Sequence, residues 1–324
     1  MPLKISFWGC TGSIPSPINT EQLRKKLTDT LWATKDTKFS NKQSVCEFIN
    51  KLPFHQRGTY KGNTNCVQIH SAEDIPIFCD AGSGLRTYAD SLPEFPEPRT
   101  YHIFLTHLHW DHIQGLSFFK PAFQAGNKII IHTLHHEAED AVRRLFSVPY
   151  FPIDYDQLDA DFEFDIRKDG ASFEVGSLEI KTLKQDHPNH SWAFRFETGG
   201  KAVVISTDCQ HANNAAKDLN YPFLKFFNKS DLLVFDGQYA YNQSAKKNNI
   251  WGHSDIATAV ELAARAKVKQ LIITHHEPAN NDATIHQSLA FAEKQAQELA
   301  TELNYQTTYP NNIILAYDGL KIEA

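Results

Sequence analysis

The chain has 324 residues, 41% apolar and 22% charged, with only 15 Gly and 15 Pro, which excludes collagen-like, disordered and low-complexity classes and leaves length for a substantial core. Its 38 acidic against 32 basic residues give a net charge of −6, so the average field repels polyanions and offers no general attraction for nucleic acid or an anionic membrane. The opening MPLKISFWGC lacks the apolar region of a secretory signal, no run reaches the ~18 apolar residues of a membrane span, and Cys10, Cys46, Cys66, Cys79 and Cys209 never fall in CxxC spacing, so a cytoplasmic protein with reduced thiols is expected.

Residues 3–9 alternate as a strand, and 9–17 read as a turn-rich loop. From Glu21 to Leu52, apolar residues recur at helical spacing between charged faces, which predicts two helices inserted between strands, an insert of about 18–57. After Gly58, NCVQIHS, IPIFCDAG and TYHIFLTH predict strands of a mixed or antiparallel sheet, with Gly82–Gly84 as a turn. Further strands are expected at KIIIHT, FEVGSLEIKTLKQ, SWAFRFET, KAVVISTD and DLLVFDG, and helices at HHEAEDAVRRLFS, DIATAVELAARAK and IHQSLAFAEKQAQELATEL. Strands bracket helices in both halves without a repeat or flexible linker, so residues 1–324 are expected to form a single mixed α/β domain.

Histidine is the compositional outlier, with 16 residues. The stretch HIFLTHLHWDH ends a predicted strand and then presents His107, His109, Asp111 and His112. A strand end is a rigid platform from which a short loop can converge side chains on one point. Imidazole with carboxylate suits zinc, with manganese or iron(II) as alternatives, and four candidate ligands in six positions are too many for one open catalytic ion. Two metals are therefore expected. Other predicted strands end in His187, in Asp208 and in the doublet His275–His276, which supply the remaining ligands a dinuclear site needs.

In this order of motifs the chain resembles the metallo-β-lactamase superfamily, whose ligands run as HxHxDH, a lone His, a bridging Asp and a final His. FWGCTGSIPSP, GTYKGNTNCVQI and FCDAGSGL look like its N-terminal strands and turns. The resemblance implies a four-layer αβ/βα sandwich of two mixed β-sheets flanked by helices. It also implies one metal on His107, His109 and His187, a second on Asp111, His112 and His275, and Asp208 as the bridge. His275 is preferred to His276 because it directly follows the strand. True β-lactamases place a cysteine on the second metal, and here the nearest is Cys209, beside Asp208.

WGHSDIATAVELAARAKVKQLIITHHEP, with His253 before a helix leading to the last ligand strand, is similar to the ribonuclease Z and phosphodiesterase branch, where that histidine donates a proton. The expected function is a dinuclear zinc phosphodiesterase on a small or cyclic nucleotide-like diester, in which a metal-bridging hydroxide attacks and His253 is the general acid, with Asp111 and Asp208 in the catalytic centre. The alternatives are a tRNA 3′ endonuclease of the ribonuclease Z type and a thioesterase- or lactonase-type acyl hydrolase.

Processing ribonucleases of that branch clamp tRNA with a Gly-rich, basic arm. Here YFPIDYDQLDADFEFDIRKDG carries Asp154, Asp156, Asp159, Asp161, Glu163 and Asp165 before any basic residue, so nucleic acid is the less favoured partner. Phe146, Tyr150 and Phe151 are candidates for stacking on a base, with core packing the equal alternative. Asp80 is a candidate to orient a ligand histidine, as is His190 to reach substrate. By analogy, the 18–57 insert would serve a homodimer. No membrane partner is expected.

Overall fold

The computed structural model describes residues 3–94, 96–212, 214–239 and 251–324. Period-two runs of β-branched and aromatic residues build two seven-stranded sheets. The strands are β1 (Lys4–Gly9), β2 (Cys66–His70), β3 (Pro76–Cys79), β4 (Thr100–Phe104), β5 (Lys128–Thr133), β6 (Asp161–Ile166), β7 (Ser172–Val175), β8 (Leu178–Gln185), β9 (Ser191–Thr198), β10 (Lys201–Ser206), β11 (Leu232–Asp236), β12 (Gln270–Thr274), β13 (Asn312–Leu315) and β14 (Lys321–Glu323). The first sheet runs β14-β1-β2-β3-β4-β5-β6 and the second β13-β12-β11-β10-β9-β8-β7. Both are mixed: β14 to β3 pair antiparallel and β3 to β6 parallel, while β7 to β10 pair antiparallel and β10 to β13 parallel.

Alternation along each strand sends successive side chains to opposite faces. Val203 and Ile205 of β10 therefore join Ile5, Phe7, Phe104, Phe194, Phe196 and Ile272 between the sheets. Val204, one residue out of phase, faces the helices α7 (Pro222–Phe227), α8 (Ile256–Arg265) and α9 (Asp282–Glu302) with Leu233, Phe235 and Ile273. The outer face of the first sheet is covered by α4 (Gly84–Asp90) and α6 (Ala138–Leu145) through Phe78, Tyr88, Ile103, Ile131, Val142 and Phe146. Each fully buried side chain of this kind contributes about 1.5–3 kcal/mol, so the three apolar layers dominate the hold on the sandwich.

Several elements differ from expectation. Residues 173–185 form a hairpin and not one strand, because Gly176 turns the chain at φ +55° between β7 and β8. The acidic run contains β6, where Phe162 and Phe164 face inward while Asp161 and Glu163 face solvent. The Gly82–Gly84 turn leads directly into α4, which has no side-chain cap to announce it. The insert carries α1 (Thr20–Ala33), α2 (Lys42–Lys51) and a single turn, α3 (Phe54–Arg57). A capping box between Asn19 and Gln22 starts α1, and Lys26 ties it to α9 by a 2.6 Å ion pair with Asp282. Among the described residues, no helix is long and apolar enough to cross a membrane.

Parallel strands in each sheet end on the same edge, and open α/β sheets present ligands outside such carboxyl ends. Described residues that follow β3, β4, β8, β10, β11 and β12 in the chain meet there.

Candidate metal centre

Beyond β4, Thr106 is pinned by Asp80, whose Oδ1 accepts from the Thr106 amide and hydroxyl at 2.9 Å each. His107 follows, and a one-turn helix, α5 (Trp110–Ile113), then turns Asp111 and His112 back toward it. The rings of His107 and His112 lie 4.2 Å apart, those of His107 and His109 4.4 Å. His187, after β8, brings its ring to 4.8 Å from His107 and 4.9 Å from His109. Asp208, after β10, sits in the middle. Its Oδ1 lies 3.3 Å from His112 Nε2, and its Oδ2 lies 3.3 Å from His275 Nε2 and 3.8 Å from both His107 Nε2 and His187 Nε2. Asp111 Oδ2 lies 3.3 Å from His275 Nε2 and 3.4 Å from His112 Nε2.

Backbone strain marks the same places. Asp80, Asp208 and His275 occupy the left-handed region at φ 62°, 56° and 59°, costly for residues with a Cβ, and each sits at a strand end lining the centre. For His275 this turn decides between the neighbours of the doublet: its ring enters the cluster, whereas the buried His276 Nε2–H donates to the Ala316 carbonyl at 2.9 Å.

The rings are held from behind. Nδ1–H of His112 donates to Asp80 Oδ2 at 2.8 Å, that of His187 to the Gly252 carbonyl at 2.9 Å, that of His107 to the Thr106 hydroxyl at 3.0 Å and that of His275 to Gln238 Oε1 at 3.2 Å. This network assigns a proton to each Nδ1 and turns each Nε2 toward the cluster. Gly252 can approach so closely because a Cβ there would lie 2.7 Å from His187 Nδ1.

Those inward atoms lack partners. His107 Nε2, His112 Nε2 and Asp208 Oδ1 are buried without a hydrogen bond, a state that costs about 1–3 kcal/mol each unless something else satisfies them. His187 Nε2 and His109 Nδ1 face one another at 3.1 Å. Donors bound at ~2.0–2.1 Å to one tetrahedral zinc lie ~3.3 Å apart, close to the separations found here. His107, His109 and His187 form one triad and Asp111, His112 and His275 another, with Asp208 within reach of both. Nitrogen and carboxylate donors so placed fit divalent cations.

The protonation pattern follows from burial and from these carboxylates. Burial pushes His107 well below its ordinary value and His187 down to about 4. Burial acts the same way on His112 and His275 but is outweighed by carboxylates, Asp208 foremost, which lift His112 well above 6.5 and His275 to about 9. Burial would raise Asp111 and Asp208, yet the neighbouring imidazoles hold both well below the usual carboxylate range.

A metal thus competes with protons on His112 and His275. At pH 7, loading zinc into chelator-stripped protein is expected to release about two protons, read as the dependence of calorimetric enthalpy on buffer ionisation enthalpy. Both folded values lie above 6.5, so the stability these groups lend the stripped protein is full below pH 6.5 and is lost as pH rises through their raised values, about 9 for His275. An enthalpy independent of buffer would contradict the assignment.

His253 stands beside the cluster, its ring 5.1 Å from His187 and stacked 4.8 Å from His275. Its Nδ1–H donates to Asp236 Oδ2 at 2.8 Å, and the Cys209 and Ser254 amides also point to that oxygen. The cap of α8 is Asp255, whose side chain accepts from the Thr258 amide. Sequence reasoning did not single out Asp236, Gln238 or Gly252. Asp236 closes DLLVFD much as Asp208 follows AVVIST, a parallel that was legible; a backbone carbonyl such as that of Gly252 leaves no such signal.

His190 is exposed, and its amide donates to the His187 carbonyl at 2.8 Å. The thiol of Cys209 turns away to His211, 3.1 Å from its Nε2. Phe146 is fully buried, Phe151 packs on it, and Tyr150 is exposed.

A family model described as a β-lactamase superfamily domain matches residues 76–276, well over half of the chain. Ribonuclease Z of Shouchella clausii is 25% identical over 217 residues, 53% of this chain and 68% of that protein. Ribonuclease Z of Clostridium perfringens is 24% identical over 232 residues, 56% of this chain and 73% of that protein. The crystal structure of the metallo-β-lactamase fold protein YhfI from Bacillus subtilis superposes with a TM-score of 0.62 at 18% identity, covering 100% of this chain and 99% of that one.

Proposed function

Since the chain belongs to the β-lactamase superfamily and is a metal-dependent hydrolase, we propose that it cleaves a small or cyclic nucleotide-like phosphodiester with two divalent ions, zinc foremost. His107, His109 and His187 would hold one ion, Asp111, His112 and His275 the other, and Asp208 would reach both. When bound, the ions supply Lewis-acid chemistry, activating water for attack and neutralising charge that builds on the phosphoryl oxygens.

The observation that carries the phosphodiester reading is His253 on Asp236 beside that cluster. Cleaving a diester expels an alkoxide, which must be protonated. Asp236 keeps the proton on Nδ1 and balances the charge of an imidazolium, so Nε2–H is the proton available to the departing oxygen. Asp111 is fixed in turn by the Ser13 amide, which donates to its Oδ2 at 2.8 Å. Residues 1–324 work as one hydrolase domain in this proposal, with β14 completing the sheet that contains β1. A second copy would cover Leu23, Leu27 and Leu31, which point to solvent on α1 while Lys26 faces the body.

A tRNA 3′ endonuclease is the second reading, favoured by the ribonuclease Z relatives. Against it stand the exposed carboxylates of Asp154, Asp156, Asp159, Asp161 and Glu163, which repel a phosphate backbone. The test is a metal assay with a panel of bis(p-nitrophenyl) phosphate, 2′,3′- and 3′,5′-cyclic nucleotides, a pre-tRNA, a thioester and a lactone. Turnover of the small diesters is expected; preferential cleavage of pre-tRNA selects the second reading, and preferential turnover of lactone or thioester overturns both.

A further inference from the structure

Asp80 accepts directly from the ring of His112, and Asp236 from that of His253. At His275 an amide is interposed. Gln238 Oε1 accepts from His275 Nδ1 at 3.2 Å, and Gln238 Nε2 donates to Glu277 Oε2 at 3.1 Å, so a carboxylate stands one side chain further back.

The fold leaves that amide a single freedom. β11 and β12 pair in parallel with Asp236 opposite Thr274, and the Gly237 amide donates to the Thr274 carbonyl at 3.1 Å, which sets Gln238 alongside His275. The Gln238 amide N–H donates to Asp236 Oδ1 at 3.0 Å, and the side chain is buried. A Cβ on Gly12 would fall 2.5 Å from His275 Nδ1, so the turn after β1 closes over the same edge of the ring. With backbone and ring held, what remains is a half-turn of the Gln238 amide, which exchanges its acceptor for its donor. The two ends are nearly equal in size, so packing does not choose between them. A carboxylate does. It accepts only, so Glu277 draws the NH2 group and leaves the carbonyl to His275. The reverse orientation would set NH2 against Nδ1 and suit a ring that keeps its hydrogen on Nε2, the atom 3.3 Å from both Asp111 and Asp208.

We propose that Glu277 is a positioning residue of the metal centre: by directing the Gln238 amide it holds a hydrogen on His275 Nδ1, so that Nε2 is the nitrogen offered to a cation. The inference rests on the ligand set proposed above for the second ion. Glu277 acts on that ligand through Gln238 and touches neither ion itself.

The test titrates zinc into chelator-stripped protein against a competing chelator of known affinity. Gln238→Met, which keeps the length of the side chain without an acceptor, is expected to weaken zinc binding about 10–100-fold, the cost of losing a residue that orients a ligand. Glu277→Met and Glu277→Gln remove the same charge at nearly the same size, and only Gln can still accept from the Gln238 amide. Glu277→Met is expected to weaken zinc about tenfold, and Glu277→Gln by less than about threefold. In zinc-loaded protein the Nδ1–H proton resonance of His275 should persist in Glu277→Gln and be lost to solvent exchange in Gln238→Met. Equal affinities in the two Glu277 variants would reduce Glu277 to its charge and overturn the inference, as would parental affinity in Gln238→Met. Should Gln238→Met fail to fold, the Glu277 pair decides. His275→Ala is the control on the ligand set. If it binds as much zinc as the parent, the second ion's ligands are misassigned and the inference falls with them; if it loses zinc while the Glu277 variants agree, only the role of Glu277 falls.

Discussion

Asp208→Ala is expected to lose both metal and hydrolysis, the largest effect of any single substitution in the centre. The carboxylate lies 3.3 Å from His112 and His275 and 3.8 Å from His107 and His187, so four imidazoles converge on one anion. Loss of a residue that merely orients a ligand lowers metal affinity about 10–100-fold, and removal of a shared ligand should exceed that. Metal content after dialysis is the direct measure. Asp208→Asn separates charge from shape, because the amide keeps the volume and one oxygen but not the negative charge that holds His112 and His275 above their ordinary values. Both variants should fold, since an imidazole released from its anion can shed its proton, whereas a buried lysine or arginine would leave a stranded charge. A full complement of metal in the alanine variant would dismantle the proposed ligand set.

What could be read from the sequence follows the range of the interactions. The HxHxDH stretch, the strand-end Asp208 and the period-two strands are local patterns, and each appears in the structure where its pattern lies. The choice between His275 and His276 is not local: it turns on one left-handed residue and on Ala316, which lies 40 positions further along. Asp236 was hidden differently. Its partner, His253, is 17 residues away along the chain, so strand and histidine were each visible while their pairing was not. The acidic run illustrates a clash of signals, because its charges described the solvent face of β6 and masked the Phe162–Phe164 alternation that makes it a strand. The helix α4 begins at a glycine without a cap and so carries none of the usual markers of a start.

His253→Ala is expected to lower kcat by about 10²–10⁴, the range of a positioned general acid, while leaving metal content intact. The two readouts matter together because His253 also stands within ligand distance of Asp208 and His187, and of Asp236 and His275. A histidine that served as a ligand would take metal with it when removed. A proton donor would not, and its loss would depend on the leaving group. With bis(p-nitrophenyl) phosphate the departing phenolate needs little protonation, so the defect should shrink; with an alkyl or nucleoside leaving group it should reach its full size. Asp236→Asn extends the test to the residue behind the ring. The amide preserves volume and can still accept from Nδ1, but it no longer offsets the imidazolium charge, so kcat should fall in the same leaving-group-dependent way and by less than in His253→Ala. Equal losses on all leaving groups would assign His253 and Asp236 to holding the loop before α8 together, and would leave the departing oxygen without an identified donor.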